Sequence, residues 1–151
     1  VLEPNFSKDR DVEKEDRVEL FFSKDKEMSE YYCFEIDAKG RVLSYSAKYY
    51  RSFNFDWDVP TGFKVAAKIN SNGYSVEGSI PLEFIKNLNP NGELFFGAYR
   101  AEFSRQGNVK IENWLTWINP KTESPDFHVP SSLGKLILND FKRVKNKIEF
   151  N

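Results

Sequence analysis

Apolar and polar residues alternate along most of this chain, from about residue 17 to residue 139, and this pattern limits the fold more than any other feature. Residues two apart in a β-strand lie on one face, so segments such as 64–69 and 73–80 predict half-buried strands. Asn72-Gly73 joins these two segments and is a strong hairpin signal, because both residue types tolerate positive φ. The two segments are therefore predicted to pair as antiparallel strands.

Two further turns carry glycine between strand-like segments. Gly40 is predicted to join a strand at 31–37 to one at 41–50, and Gly107 marks a third hairpin. One segment, 81–88, is predicted to be helical, since apolar residues recur every three positions after an initial proline. Consecutive short strands with such turns predict an all-β fold, an antiparallel β-sandwich of immunoglobulin or jelly-roll type with one short helix.

The chain divides by composition into three parts. Residues 1–16 form a charged lead-in, whose mixed charge run predicts a solvated loop before a first strand at 17–23. Residues 17–140 form the β-sandwich, and residues 141–151 form a basic tail or linker. A chain of 151 residues has the size of one domain and buries enough surface for an ordinary core.

The charge balance and the rare residue types exclude several classes of function. Lys and Arg total 22 against 23 Asp and Glu, so there is no broad basic field for a nucleic acid. One Cys and one His exclude zinc sites that need several of either residue. No apolar run approaches the ~18 residues that cross a bilayer, so membrane insertion is not expected. No cofactor is expected, although the acidic run 9–16 is a candidate calcium site.

Aromatic residues are unusually frequent: 14 Phe, 7 Tyr and 3 Trp make up 16% of the chain. A site for a sugar combines a flat aromatic surface with a few directed polar groups, and this composition supplies both. Most aromatic residues in the strands are nevertheless predicted to lie in the core. Trp57 is different because it lies in a loop between two aspartates, where its ring is either used for binding or packed against the domain.

Enzymatic function is a less favoured hypothesis. A glycoside hydrolase needs two carboxylates about 5–9.5 Å apart, and Asp56 and Asp58 are the most suggestive pair. There is no Gly-x-Ser-x-Gly motif to present a nucleophilic serine. No catalytic residue is therefore predicted, although the domain is compatible with attachment to a glycoside hydrolase.

Six motifs in chain order resemble those of family 9 carbohydrate-binding modules. Together they span about four fifths of the chain. The matching segments are DRVELFF at 16–22, YYCFEID with the following glycine at 31–40, GYSVEGSIP at 73–81, GAYR at 97–100, WLTW at 114–117, and FHVP with the later GKL at 127–136.

The resemblance implies a noncatalytic sugar-binding β-sandwich, usually one module of a secreted or cell-surface polysaccharide-degrading protein. The expected location is extracellular, periplasmic or cell-surface, and the expected partners are a mono- or oligosaccharide and other modules of the same polypeptide. In such modules a sugar lies between two aromatic rings, and an acid and an arginine bind its hydroxyls. Glu19 matches the acid, Arg41 the arginine with a gap of one residue, and Phe127 one ring. The resemblance also implies that strands usually found before the first motif are missing here.

Further candidates come from the same motifs. Arg100 lies in an otherwise apolar strand and needs a partner or a wet cavity. Trp114 and Trp117 are predicted to lie on opposite faces of a strand, with Trp117 in the core. The second aromatic ring would fall near Glu13, so a β-sandwich that has lost sugar binding and packs within a larger protein is the alternative. The predicted ligand-binding residues are Glu19, Arg41, Trp57, Tyr99, Arg100, Trp114, Phe127 and His128, and no metal ligand is predicted.

Overall fold

The computed structural model describes residues 2, 5–138 and 147–150. Most of the predicted basic tail lies outside these residues. Two short 3₁₀-helices, Asp9–Lys14 and Pro130–Ser132, precede β1 and β9. The other elements of the described residues are β1 (Arg17–Ser23), β2 (Tyr31–Asp37), β3 (Val42–Lys48), β4 (Ser52–Asn54), β5 (Lys64–Asn70), β6 (Gly73–Pro81), α1 (Leu82–Leu88), β7 (Glu93–Gln106), β8 (Val109–Thr116), β9 (Gly134–Ile137) and β10 (Lys147–Phe150).

These strands form two antiparallel sheets, which confirms the prediction of an all-β sandwich with one short helix. The larger sheet has seven strands in the order β4-β3-β2-β1-β7-β8, with β9 also paired to β7, and the smaller sheet has three strands in the order β10-β6-β5. All three predicted hairpins form, β2 with β3, β5 with β6 and β7 with β8. The loop between β5 and β6 is Ser71-Asn72, one residue earlier than predicted, because Gly73 already pairs with Asn70.

One core lies between the two sheets. Leu20 and Phe22 of β1 point toward the small sheet and helix α1, where they pack with Ile80 and Ile85. Trp57 is partly buried and packs against this core, with its ring centroid 5.0 Å from that of Tyr32. The loop therefore packs this ring against the domain.

A second core covers the opposite face of the large sheet. Phe21 of β1 and Tyr31 of β2 pack there with Val12 of the first 3₁₀-helix and with Phe127 and Leu133 from the segment before β9. Because the central strands are covered on both faces, β1 and β2 are almost continuously buried instead of half-buried. This second, covered face carries the candidate site.

The solvated loop predicted for the charged lead-in is wrong. Its residues form a 3₁₀-helix in which Asp11 is buried and followed by buried Glu15. The Asp11 carboxylate accepts hydrogen bonds from the backbone N–H groups of Ser7 and Lys8, which explains why a charged side chain lies inside. In the part of the chain that the structure describes, no helix is long and apolar enough to span a bilayer.

Candidate functional site

The candidate site is a cavity of about 230 Å³ on the face of the large sheet that lies away from the small sheet. A neighbouring cavity of about 390 Å³ shares four of its lining residues, so the two form one depression. A larger hollow of about 590 Å³ lies on the small sheet, where Phe150 is its one aromatic residue among the described ones. The smaller cavity combines rings with charges. Its lining residues are Arg17, Glu19, Glu35, Arg51, Trp114, Pro125, Asp126, Phe127 and His128.

Two carboxylates share one guanidinium inside this cavity. Arg17 and Glu19 are two residues apart on β1 and so lie on one face, and Glu35 lies directly opposite Glu19 on β2. Arg17 Nη2 lies 2.8 Å from Glu19 Oε1, and Arg17 Nε lies 2.7 Å from Glu35 Oε2. These four atoms form a cluster of ion pairs. Their contacts are not aligned hydrogen bonds, since Arg17 Nε, Glu19 Oε1 and Glu35 Oε2 have no hydrogen-bond partner of good geometry among the described residues.

Arg17 Nη1 and Glu35 Oε1 are held by other groups of the protein. Arg17 Nη1 donates to the backbone carbonyl oxygens of Glu13 at 2.9 Å and Glu15 at 3.3 Å. The hydroxyl of Tyr45 donates to Glu35 Oε1 at 2.7 Å. The guanidinium and Glu35 are therefore fixed in place before any ligand arrives.

Burial sets the charge of the cluster. Removal from water, reinforced by the charge of Glu35, raises the pKa of Glu19 to about 8 despite the attraction of Arg17. Burial also raises the pKa of Glu35, against the opposing effects of Arg17 and the Tyr45 hydroxyl. At neutral pH Glu19 therefore mostly holds a proton, which reduces the negative charge that faces Arg17.

We expect the domain to become less stable as the pH rises above 6.5, because the folded protein then loses the proton on Glu19. Glu19 has a folded pKa of about 8 against 4.5 for the free group, so its stabilising contribution is present at low pH and is lost as the pH rises toward 8. Between pH 6.5 and 8 the free energy of unfolding should fall by up to ~1.4 kcal/mol per pH unit, the limit for one proton. Urea denaturation at several pH values measures this free energy, and Glu19→Gln should make it depend less on pH.

The prediction is limited to pH values above 6.5, because below that pH the titration of His128 changes the stability in the opposite direction. Burial, with the nearby charge of Arg51, lowers the pKa of His128 to about 3 from 6.5, so its contribution is lost as the pH falls below 6.5. An equal slope for the wild type and Glu19→Gln between pH 6.5 and 8 would contradict the proposed proton.

One wall of the cavity is aromatic. Phe127 stacks on Tyr99 with ring centroids 4.2 Å apart, and Trp114 meets Phe127 edge-on at 5.7 Å. Behind them, Tyr99 Oη lies 2.7 Å from Ser132 Oγ, a contact that ties the wall to the 3₁₀-helix before β9. The neutral ring of His128 continues this wall, and its Nδ1 is hydrogen-bonded to Tyr31 Oη at 3.0 Å.

The rim is held by an ion pair between two loops. Arg51 Nη2 lies 2.7 Å from Asp126 Oδ1, and the hydroxyl of Tyr50 donates to Asp126 Oδ2 at 2.6 Å. The backbone N–H of His128 also donates to Asp126. The loop after β3 is thereby fixed against the segment that carries the aromatic wall.

The structure brings together four of the eight residues predicted from sequence. Glu19, Trp114, Phe127 and His128 line the cavity. Tyr99 supports Phe127 from behind and is almost completely buried. The other three residues, Arg41, Trp57 and Arg100, do not line it.

Arg41 and Arg100 are used elsewhere. Arg41 pairs with buried Glu15 at 2.6 Å and also with Asp37, so it holds the lead-in helix to the sheet. Arg100 lies on the opposite face of the sheet, where its guanidinium sits 4.6 Å from the ring centroid of Tyr74.

Trp114 and Trp117 lie on opposite faces, as predicted, but the predicted burial of Trp117 is wrong. Trp117 is 51% exposed, since it follows Thr116, the last residue of the edge strand β8. Its ring passes over Gly134, where a Cβ atom would lie 2.8 Å from the indole.

Sequence reasoning missed five lining residues: Arg17, Glu35, Arg51, Pro125 and Asp126. The alternation in β1 places Arg17 on the face of Glu19, and this signal was available. Arg51 and Asp126 are 75 residues apart, so no local pattern connects them. Within residues 2, 5–138 and 147–150, no group of three or more His, Cys, Asp or Glu side chains is arranged to hold a metal ion.

One comparison with known proteins, the one with family models, gives a match. No curated protein and no solved structure matches the chain. The sequence model of the family described as "Carbohydrate family 9 binding domain-like" matches residues 5–141, which include both sheets' strands from β1 to β9. This is a family of noncatalytic domains associated with carbohydrate binding. Since the match covers nearly the whole chain, the protein belongs to the carbohydrate family 9 binding domain-like family.

Proposed function

We propose that this domain binds a carbohydrate in the cavity between the Arg17 ion cluster and the aromatic wall of Trp114 and Phe127. The observation that carries the proposal is this combination: buried charged groups at the base of a cavity whose side is formed by rings. A sugar ring presents C–H groups on its faces and hydroxyls at its edges, so it needs both kinds of surface.

The arrangement is preorganised for this task. The rings of Phe127, Tyr99 and Trp114 hold one another, and the charged groups are fixed by backbone carbonyls and by Tyr45. A ligand therefore orders few side chains when it binds, which lowers the entropic cost of association.

The wider setting follows from the family. We propose that the domain is a module of an extracytoplasmic protein that captures sugars or degrades polysaccharides, and that it works beside other modules of the same polypeptide. In this role it supplies binding, and a catalytic step belongs to another module.

The matched pair Trp114→Ala and Trp117→Ala tests the proposal. Trp114 lines the cavity, whereas Trp117 contacts Phe96 on the opposite face. Isothermal titration of the folded protein against a panel of mono- and oligosaccharides, with neutral and amino sugars among them, should detect binding. Trp114→Ala should weaken it at least tenfold, or ~1.4 kcal/mol, because a stacking surface is removed. Trp117→Ala should bind as the wild type does. Equal losses in both variants, or no binding by the wild type, would contradict the proposal.

A second candidate is a domain that has lost sugar binding and mediates packing. The size of the cavity favours it, because about 230 Å³ is below the usual range of about 300–1,000 Å³ for ligand pockets. The neighbouring cavity of about 390 Å³ extends the depression and outweighs this argument. The same titration separates the two candidates, since a packing domain binds no member of the panel.

A further inference from the structure

The cavity contains one more carboxylate than guanidinium groups. Its charged lining residues are Arg17 and Arg51 on one side and Glu19, Glu35 and Asp126 on the other. Arg51 and Asp126 form a closed pair at the rim, 2.7 Å apart. The imbalance therefore lies at the base, where one guanidinium faces two carboxylates.

Of these two carboxylates, Glu19 has fewer hydrogen-bond and ion-pair partners. Glu35 receives a hydrogen bond from Tyr45 as well as the contact with Arg17. The Glu19 side chain makes its one ion pair with Arg17, through Oε1, among the described residues, and only 2% of it is exposed. A carboxylate withdrawn from water in this way takes up either a proton or a cation.

The groups that face Glu19 do not supply a second positive charge. His128 is neutral because burial lowers its pKa to about 3. The charge of Arg51 is already matched by Asp126. Neutral or acidic groups make up the rest: Glu13 from the lead-in helix, Cys33 and Glu35 from β2, Tyr45 from β3, and Tyr99 from β7.

The walls of the cavity also suit a positively charged ligand. Trp114 and Phe127 present rings, and a cation near the face of such a ring is attracted by its quadrupole. Arg17 already uses this surface, since its guanidinium carbon lies 5.5 Å from the centroid of the Trp114 ring. The carboxylate at the base of the cavity and the aromatic wall thus both favour a positively charged group.

We propose that the ligand is an amino sugar, a hexosamine with a free ammonium group that contacts Glu19 while its ring lies against Trp114 and Phe127. This inference rests on the proposed function and names the class of sugar. No covalent bond forms in the process. The O–H bond of the Glu19 carboxyl breaks, its proton passes to the buffer, and the intact ammonium takes its place.

The test uses D-glucosamine, D-galactosamine and D-mannosamine, each compared with its N-acetyl derivative and its parent hexose. Titration calorimetry at pH 6.5, in buffers with different enthalpies of ionisation, counts the protons released. At least one hexosamine should bind about tenfold more tightly than both neutral relatives, with release approaching one proton per site. Because the pKa of Glu19 is about 8, the carboxyl holds that proton at pH 6.5 before binding.

Two variants assign the effect to Glu19. Glu19→Gln should bring the ratio of hexosamine to N-acetylhexosamine affinity close to one and abolish proton release. Glu102→Gln removes an exposed carboxylate near Arg100 on the opposite face, and it should keep both effects. Urea denaturation confirms that each variant is folded.

The outcomes separate the two proposals. If neutral sugars bind and no hexosamine binds more tightly than its neutral relatives, the amino-sugar inference is overturned and the proposed function stands. If a preference for hexosamines survives in Glu19→Gln, the inference is also overturned. If the folded protein binds neither amino nor neutral sugars, both proposals fail.

Discussion

Replacement of Arg17 by methionine is expected to lower the free energy of unfolding by about 3–5 kcal/mol at pH 7.5. The substitution keeps much of the side-chain volume but removes the one guanidinium between Glu19 and Glu35, which lie 2.8 and 2.7 Å from it. The buried carboxyl groups of Glu19 and Glu35 then lack the cation that both of them contact, and two backbone carbonyls lose their donor. Urea denaturation followed by circular dichroism measures the loss.

Arg10→Met is the matched control for this change. Arg10 also pairs with a glutamate, Glu13, but both side chains are exposed, so the variant should change stability by less than ~1 kcal/mol. A loss below 1 kcal/mol for Arg17→Met would show that the cluster does not need its central cation.

Phe34→Ala is expected to cost about 3–5 kcal/mol through a different mechanism. Phe34 of β2 is completely buried between the sheets. Its ring stacks on Phe63 at 5.1 Å and meets Phe22 and Phe84 edge-on, each at 5.8 Å. Removing the ring leaves a cavity bounded by other rings, which are too rigid to fill it.

Phe53→Ala provides the comparison for the loss of a phenyl ring. Phe53 lies on the edge strand β4 and is 37% exposed, so the variant should lose about half as much stability or less. Thermal or urea unfolding measures both variants. Similar losses for Phe34→Ala and Phe53→Ala would contradict the view that the core between the two sheets dominates stability.

The fold could be predicted from the sequence because the patterns that specify it are local. Each hairpin is specified by two alternating segments and a glycine-bearing turn, and the structure confirms all three hairpins. The second core was less accessible, since it depends on a 3₁₀-helix and a long segment folding back onto the large sheet. Burial on that face places the charged side chain of Glu19 in the interior, which the alternation in β1 alone does not predict.

Only about half of the candidate site could be predicted from the sequence, for the same reason. Trp114, Phe127 and His128 lie in recognisable motifs, and Glu19 follows from the motif at 16–22. Glu35 lies opposite Glu19 only because of the register of β1 and β2. Arg41 matches the arginine of the resembled family, but carboxylates from two separate segments hold it away from the cavity.

The most direct test of sugar binding in this cavity is a nuclear magnetic resonance titration of the three tryptophan indole N–H signals. Trp57 packs against the core between the sheets, Trp117 contacts Phe96 on the face away from the cavity, and Trp114 lines the cavity. Addition of the tightest-binding sugar should shift the Trp114 signal to saturation and leave the Trp57 and Trp117 signals in place. A saturable shift at Trp117 or Trp57 without one at Trp114 would contradict the assigned site.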